Sequence, residues 1–127
     1  MAGDQVEIDV PASPDAVWAV VGDFWAIGDV MPGIDACRQE GDDVRVLTIG
    51  GNEIRERLVR RDGPTRSITY AIVAGVPIER HEATISLAPN EDGTRATWAF
   101  DVEPDQMAPL LAASYSQALE GLRRHFT

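Results

Sequence analysis

Three residues of this sequence, Glu56, Tyr70 and His81, carry groups that acid/base chemistry or polar recognition requires: a carboxyl, a phenol and an imidazole. Each falls in a stretch that alternates apolar and polar residues, the period of a strand with one buried face. In residues 53–61, Ile54 and Leu58 share a face and Glu56 lies between them. In 67–73 the shared face is Ile68, Tyr70 and Ile72, and in 78–87 it is Ala83, Ile85 and Leu87, with Glu79 and His81 in the same phase. In 94–102 it is Ala96, Trp98, Phe100 and Val102. Tight turns would set the registers so that Tyr70 lies opposite His81, and Glu56 near Tyr70 and Ile72. The expectation is a polar row across neighbouring strands, on a face otherwise built of Ile, Leu, Trp and Phe.

A carboxylate on an apolar face is costly unless it is paired, hydrated or protonated. Two readings follow. Glu56 pairs with an arginine such as Arg45, or with His81, in a structural network. Alternatively it is the polar anchor of an apolar cavity, meeting a ligand hydroxyl or carbonyl directly or through water. The cavity role is the expectation taken forward. His81 is either a hydrogen-bonded histidine at the sheet rim or an acid/base partner of Glu56. In the second case Tyr70 orients, and the chemistry would be enolisation or dehydration.

The elements that must position these residues can be read in order. Residues 6–10 alternate as a strand, ended by Pro11. Ser13-Pro14-Asp15 is a helix start, with Ser13 as N-cap, Pro14 in the first turn and Asp15 favoured by the helix dipole. A second short helix around Phe24 and Trp25 is broken near Met31-Pro32-Gly33. Six strand-like stretches follow: 34–39, 44–49, 53–61, 67–73, 78–87 and 94–102. Short turn signals separate them, which predicts an antiparallel meander. After Pro104 the period becomes helical: Met107, Leu110, Leu111, Ser114, Tyr115, Ala118, Leu119, Leu122 and Phe126 share a face. A helix over 106–125 would be about 30 Å long. A single sheet needs a cover. This helix lying across a curved sheet would provide it and leave a hollow between them. Trp98 from the sheet and Tyr115 from the helix would wall that hollow. Met107, Leu111 and Ser114 would face it, and Trp25 would line its far end.

Composition narrows the function. The chain has 127 residues, 11 basic and 21 acidic, for a formal net charge of −10. Every basic residue is an arginine. This balance argues against a phosphate-backbone partner. No apolar run is long enough to span a membrane, and the first ten residues lack a signal-peptide pattern. The lone cysteine, Cys37, has no ligand cluster around it, and a reducing cytoplasm is the expected compartment. No metal motif, P-loop or dinucleotide fingerprint occurs, so no cofactor or metal is expected. Residues 1–127 read as one domain.

Several segments together resemble the polyketide cyclase/dehydrase and lipid-transport-like branch of the START/Bet v 1 (SRPBCC) superfamily. They are Val10-Pro11-Ala12-Ser13-Pro14-Asp15-Ala16-Val17-Trp18, Ile54-Arg55-Glu56-Arg57-Leu58, Tyr70-Ala71-Ile72, Thr97-Trp98-Ala99-Phe100 and Gly121-Leu122. The resemblance covers essentially the whole chain. It implies an α+β helix-grip fold: a seven-stranded curved antiparallel sheet, two short helices and a long C-terminal helix over a cavity. It also implies a hydrophobic or aromatic small-molecule ligand, polyketide- or lipid-like. The alternative it implies is a polyketide cyclase/dehydratase using Glu56 and His81 as acid/base groups. Relatives often dimerise, so a homodimer is a further expectation. Fold alone does not choose among these functions. Gly50-Gly51-Asn52 and Ala74-Gly75-Val76-Pro77 read as hairpin turns at one edge of the sheet, in the place where hormone-receptor relatives carry gating loops.

Overall fold

The computed structural model describes residues 2–127. Strand β1 (Ala2–Val10) leads into helix α1 (Pro14–Val21). The Ser13 hydroxyl accepts from the Ala16 N–H at 3.2 Å, so the N-cap forms as its sequence signal requires. The expected second helix is reduced to turns and one 3-10 turn, Ile27–Asp29. Strands β2 (Ala36–Glu40), β3 (Val44–Ile49), β4 (Asn52–Asp62), β5 (Ser67–Ala74), β6 (Arg80–Asn90) and β7 (Gly93–Glu103) follow, and helix α2 (Ala108–His125) ends the fold. All seven strands form one antiparallel sheet in the order β1-β7-β6-β5-β4-β3-β2. Arg123 and Arg124 occupy the last turn of α2, where cations complement the helix dipole.

One face of the sheet meets α2. Leu111, Tyr115, Leu119 and Leu122 are the buried residues of the helix. They join Ile68, Tyr70, Ala83, Ile85, Leu87, Ala96, Trp98, Phe100 and Val102 in a single core. The Trp98 and Tyr115 rings stack with centroids 4.1 Å apart, and Phe100 meets Tyr115 edge-on at 5.3 Å. Leu110 departs from the expected helix face. It is 61% exposed, because a three-to-four-residue stripe this wide wraps beyond the contact with the sheet.

The sheet is irregular in two places. The β4–β5 register shifts between Arg55 and Glu56 and again between Leu58 and Arg60. The latter shift changes the alternation, so Arg57, Val59 and Arg60 all face solvent. The second place lies between β5 and β6, whose ladder runs only from Ser67↔Ser86 to Tyr70↔Ala83. In the ladder Tyr70 therefore pairs with Ala83 and not with His81, although the Tyr70 and His81 rings still meet with centroids 5.7 Å apart. The expected register failed because the connection is longer than a tight turn. Ile78 donates back to Val76 and Glu79 donates to Glu103 on β7 (2.7 Å), so neither residue extends the β5 ladder.

Candidate functional site

The hollow lies between β3, β4, β5 and β7 on one side and α2 on the other. It has a volume of about 210 Å³. Glu56, Tyr70, Trp98, Ser114 and Tyr115 line it, together with Arg45. The segment from Met31 to Ile34, with Ile27, Ile49, Gln117 and Ala118, completes the wall.

Its polar floor is an ion pair. Arg45 and Glu56 are direct cross-strand partners and only 6% and 5% exposed. Arg45 Nε donates to Glu56 Oε1 at 2.8 Å, and Nη2 lies 2.7 Å from the same oxygen. Nη1 donates to the Phe24 carbonyl at 3.0 Å. The guanidinium also sits 4.0 Å from the Phe24 ring centroid and 5.2 Å from that of Tyr70. Every nitrogen of Arg45 thus has a protein partner, and the pair is neutral as a unit.

His81 does not line the hollow. It lies in the cleft where β5 and β6 part, beside Ile72, Val73 and Glu79. The Ile72 N–H donates to its Nδ1 at 3.0 Å. A backbone N–H can only donate, so Nδ1 is the unprotonated nitrogen and Nε2 carries the proton. Nε2–H then donates to the Tyr115 hydroxyl, 2.8 Å away. Burial lowers the His81 pKa to about 4. The Tyr115 oxygen accepts from His81, which leaves the phenol's own proton for another acceptor. Burial raises the Tyr115 pKa and raises that of Tyr70 well above normal, the latter helped by Tyr115 and the Glu56 charge. Both phenols remain protonated hydrogen-bond donors.

Among the described residues, Trp98 Nε1 is a buried side-chain donor with no partner in the protein. An unmet buried donor carries a desolvation cost of about 1–3 kcal/mol.

The remaining sequence candidates lie elsewhere. Trp25 lines an open groove of about 500 Å³ beside Trp18, Leu58 and Arg61. It turns outward because residues 22–26 form turns rather than a helix packed across the cavity end. Met107 and Leu111 contribute to the apolar core and not to the cavity wall. Of the two glycine turns, the first adjoins Ile49 on the cavity wall. The second packs on β4: a Cβ on Gly75, whose φ is +103°, would lie 2.2 Å from the Glu53 carbonyl oxygen.

The sequence reading missed the strap from Met31 to Ile34: it took Met31-Pro32-Gly33 only as a helix breaker and Ile34 as the start of a strand. One signal was present. Gly121 interrupts a good helix, and a Cβ there would lie 2.2 Å from Pro32 Cδ. The glycine lets the strap approach α2 closely. No group of three or more His, Cys, Asp or Glu among the described residues is arranged to hold a metal ion. No described helix is long and apolar enough to cross a membrane.

A curved antiparallel sheet gripping a long helix around a small hollow defines a helix-grip protein. The chain belongs to the polyketide cyclase / dehydrase and lipid transport family, whose model matches residues 1–127. Among solved structures it is similar to the protein XoxI from Bacillus cereus, at 28% identity and TM-score 0.92, covering 99% of this chain and 96% of that one. It is also similar to an uncharacterised protein from Bacillus thuringiensis, at 25% identity and TM-score 0.89, covering 98% of each chain. A START superfamily protein from Mycobacterium smegmatis shares the fold, at 22% identity and TM-score 0.71 over 99% of this chain and 98% of that one. No curated protein matches the sequence. Family and fold are consistent with binding a hydrophobic ligand.

Proposed function

We propose that this protein is a binding module that holds an apolar or aromatic small molecule between the sheet and α2. The observation that carries this reading is the hollow itself. It is walled by aromatic and aliphatic side chains and holds a few convergent polar groups, the usual composition of a small-molecule site. Glu56, Tyr70, Trp98, Ser114 and Tyr115 are the proposed contacts.

The cyclase/dehydratase reading has less support. Both His81 nitrogens are engaged by Ile72 and Tyr115, so proton transfer at the imidazole would first require one of these bonds to break. Glu56 is held by Arg45, and His81 is not on the cavity wall.

The test uses 1-aminonaphthalene, an uncharged probe whose emission rises in apolar surroundings. Titration should give a saturable rise at one equivalent. Ala118→Trp, which places an indole in the cavity wall, should abolish it. Emission that never saturates, or that is unchanged in Ala118→Trp, would remove the proposal.

A further inference from the structure

The binding reading leaves the ligand open, and three features of the hollow restrict it. The first is size. A cavity of about 150 Å³ suffices for benzene, whereas drug-sized ligands occupy about 300–1,000 Å³. At about 210 Å³ this hollow lies between the two. One ring or two fused rings fit, and a long acyl chain or a four-ring skeleton does not.

The second is charge. Arg45 is the cation on the cavity wall, and its three nitrogens are committed to Glu56 and the Phe24 carbonyl. A ligand carboxylate would therefore enter beside Glu56 with no free cation to meet it, and an unpaired buried charge is strongly disfavoured.

The third is hydrogen-bond polarity. Both Arg45 contacts to Glu56 converge on Oε1, and among the described residues no hydrogen bond reaches Oε2. The carboxylate can still accept. The Tyr70 phenol donates to the Tyr115 oxygen, and His81 directs the Tyr115 proton away from itself, so Tyr115 is the phenol donor. The Trp98 ring lines the hollow, while its unmet indole N–H is itself closed off from it. An uncharged ligand group that both donates to a carboxylate and accepts from a phenol answers this pattern, and a hydroxyl is the smallest such group.

We propose that the occupant is a small uncharged aromatic alcohol of one or two fused rings, and that the site rejects carboxylates. This rests on the binding reading above and sharpens it. The hydroxyl donates to Glu56 and accepts from Tyr115, while the rings fill the space between Tyr115 and the strap at Met31.

The experiment is calorimetric and NMR titration of the intact chain at pH 7 with four probes: 2-naphthol, naphthalene, 2-naphthoate and 1-hydroxypyrene. The proposal expects 2-naphthol to bind at least about tenfold more tightly than 2-naphthoate and several-fold more tightly than naphthalene. It expects no saturable binding of the four-ring alcohol, and a shift of the Trp98 indole N–H resonance on adding 2-naphthol. Glu56→Gln removes the charge that neutralises Arg45, so the naphthol-to-naphthoate ratio should fall in that variant. Naphthoate binding as tightly as naphthol, equal affinity for naphthol and naphthalene, or binding of 1-hydroxypyrene would overturn this inference and leave the binding module standing. An unchanged ratio in Glu56→Gln would overturn the role of Glu56. If that variant does not fold, the wild-type panel alone decides. Failure of all four probes would overturn the binding reading and this inference together.

Discussion

Strands β2, β3 and β4 carry Arg–Glu pairs on both faces, and the two sets behave differently. On the concave face Arg45 and Glu56 meet with side chains 7% exposed each. On the convex face Arg38 reaches Glu53 at 2.9 Å, and Arg55 reaches Glu40 at 3.1 Å, with side chains 34–52% exposed. Residue types are the same, but the inner pair joins neighbouring strands β3 and β4, whereas the outer pairs join β2 to β4 across β3. The positions also differ in parity along the strand, and successive side chains point to opposite faces. Outside, the pairs flank Val46, which lies between Arg38 and Arg55 in the ladder and is only 1% exposed. There the aliphatic stems of arginine can cover apolar surface while the charges stay wet. Inside, the pair is a desolvated polar floor whose partners must be matched. The same chemistry thus serves as surface cover on one face and as a recognition element on the other.

The largest effect should come from breaking the inner pair. Arg45→Met leaves Glu56 buried without its cation and should cost about 3–5 kcal/mol in urea unfolding. Arg45→Met combined with Glu56→Leu should recover most of that loss, because an apolar pair leaves no stranded charge. A double variant as unstable as the single one would show that something other than charge matching holds this region.

The next effect concerns an inner group kept neutral. The folded-state pKa of His81 is lowered to about 4 from 6.5, so the unfolded chain binds more protons between these values. The contribution of His81 is therefore complete above about pH 6.5 and is lost as pH falls towards 4. It amounts to at most about 3 kcal/mol. Unfolding free energies measured from pH 7 to pH 4 should fall more steeply in the wild type than in His81→Gln. Parallel curves would contradict this. The outer face favours charge instead: the hydrogen bond from Arg55 lowers the Glu40 pKa.

The smallest effect belongs to the outer pairs. Arg38→Gln should change stability by no more than about 0.5 kcal/mol, and added salt should shrink the change further. A loss comparable to that of Arg45→Met would erase the distinction between the two faces.

Much of the fold was legible in the sequence. Strand period, turn residues and the Ser13-Pro14 helix start are local signals, and they placed β3 at residues 44–49 and the others within a few residues. The polar residues of the site were partly legible. Glu56, Tyr70, Trp98, Ser114 and Tyr115 each follow from the phase of their own element, and all reach the hollow. His81 did not follow. Its place depends on a connection whose residues hydrogen-bond to β7, which no local pattern reveals. Trp25 and the strap were missed for a similar reason: residues 22–35 have little regular structure, so no periodicity assigns their faces.

The sequence by itself determined the seven strands, the gripping helix and the burial of a carboxylate among apolar side chains, because these depend on periods of two and 3.6 residues and on local turn chemistry. Tertiary structure alone decided that Arg45 neutralises Glu56, that Ile72 and Tyr115 fix the His81 proton, and that the hollow is small. Those outcomes depend on how far β5 and β6 part and how closely the strap approaches Gly121. Both are sums of many packing contacts between segments distant in the chain, and short-range pattern does not encode them.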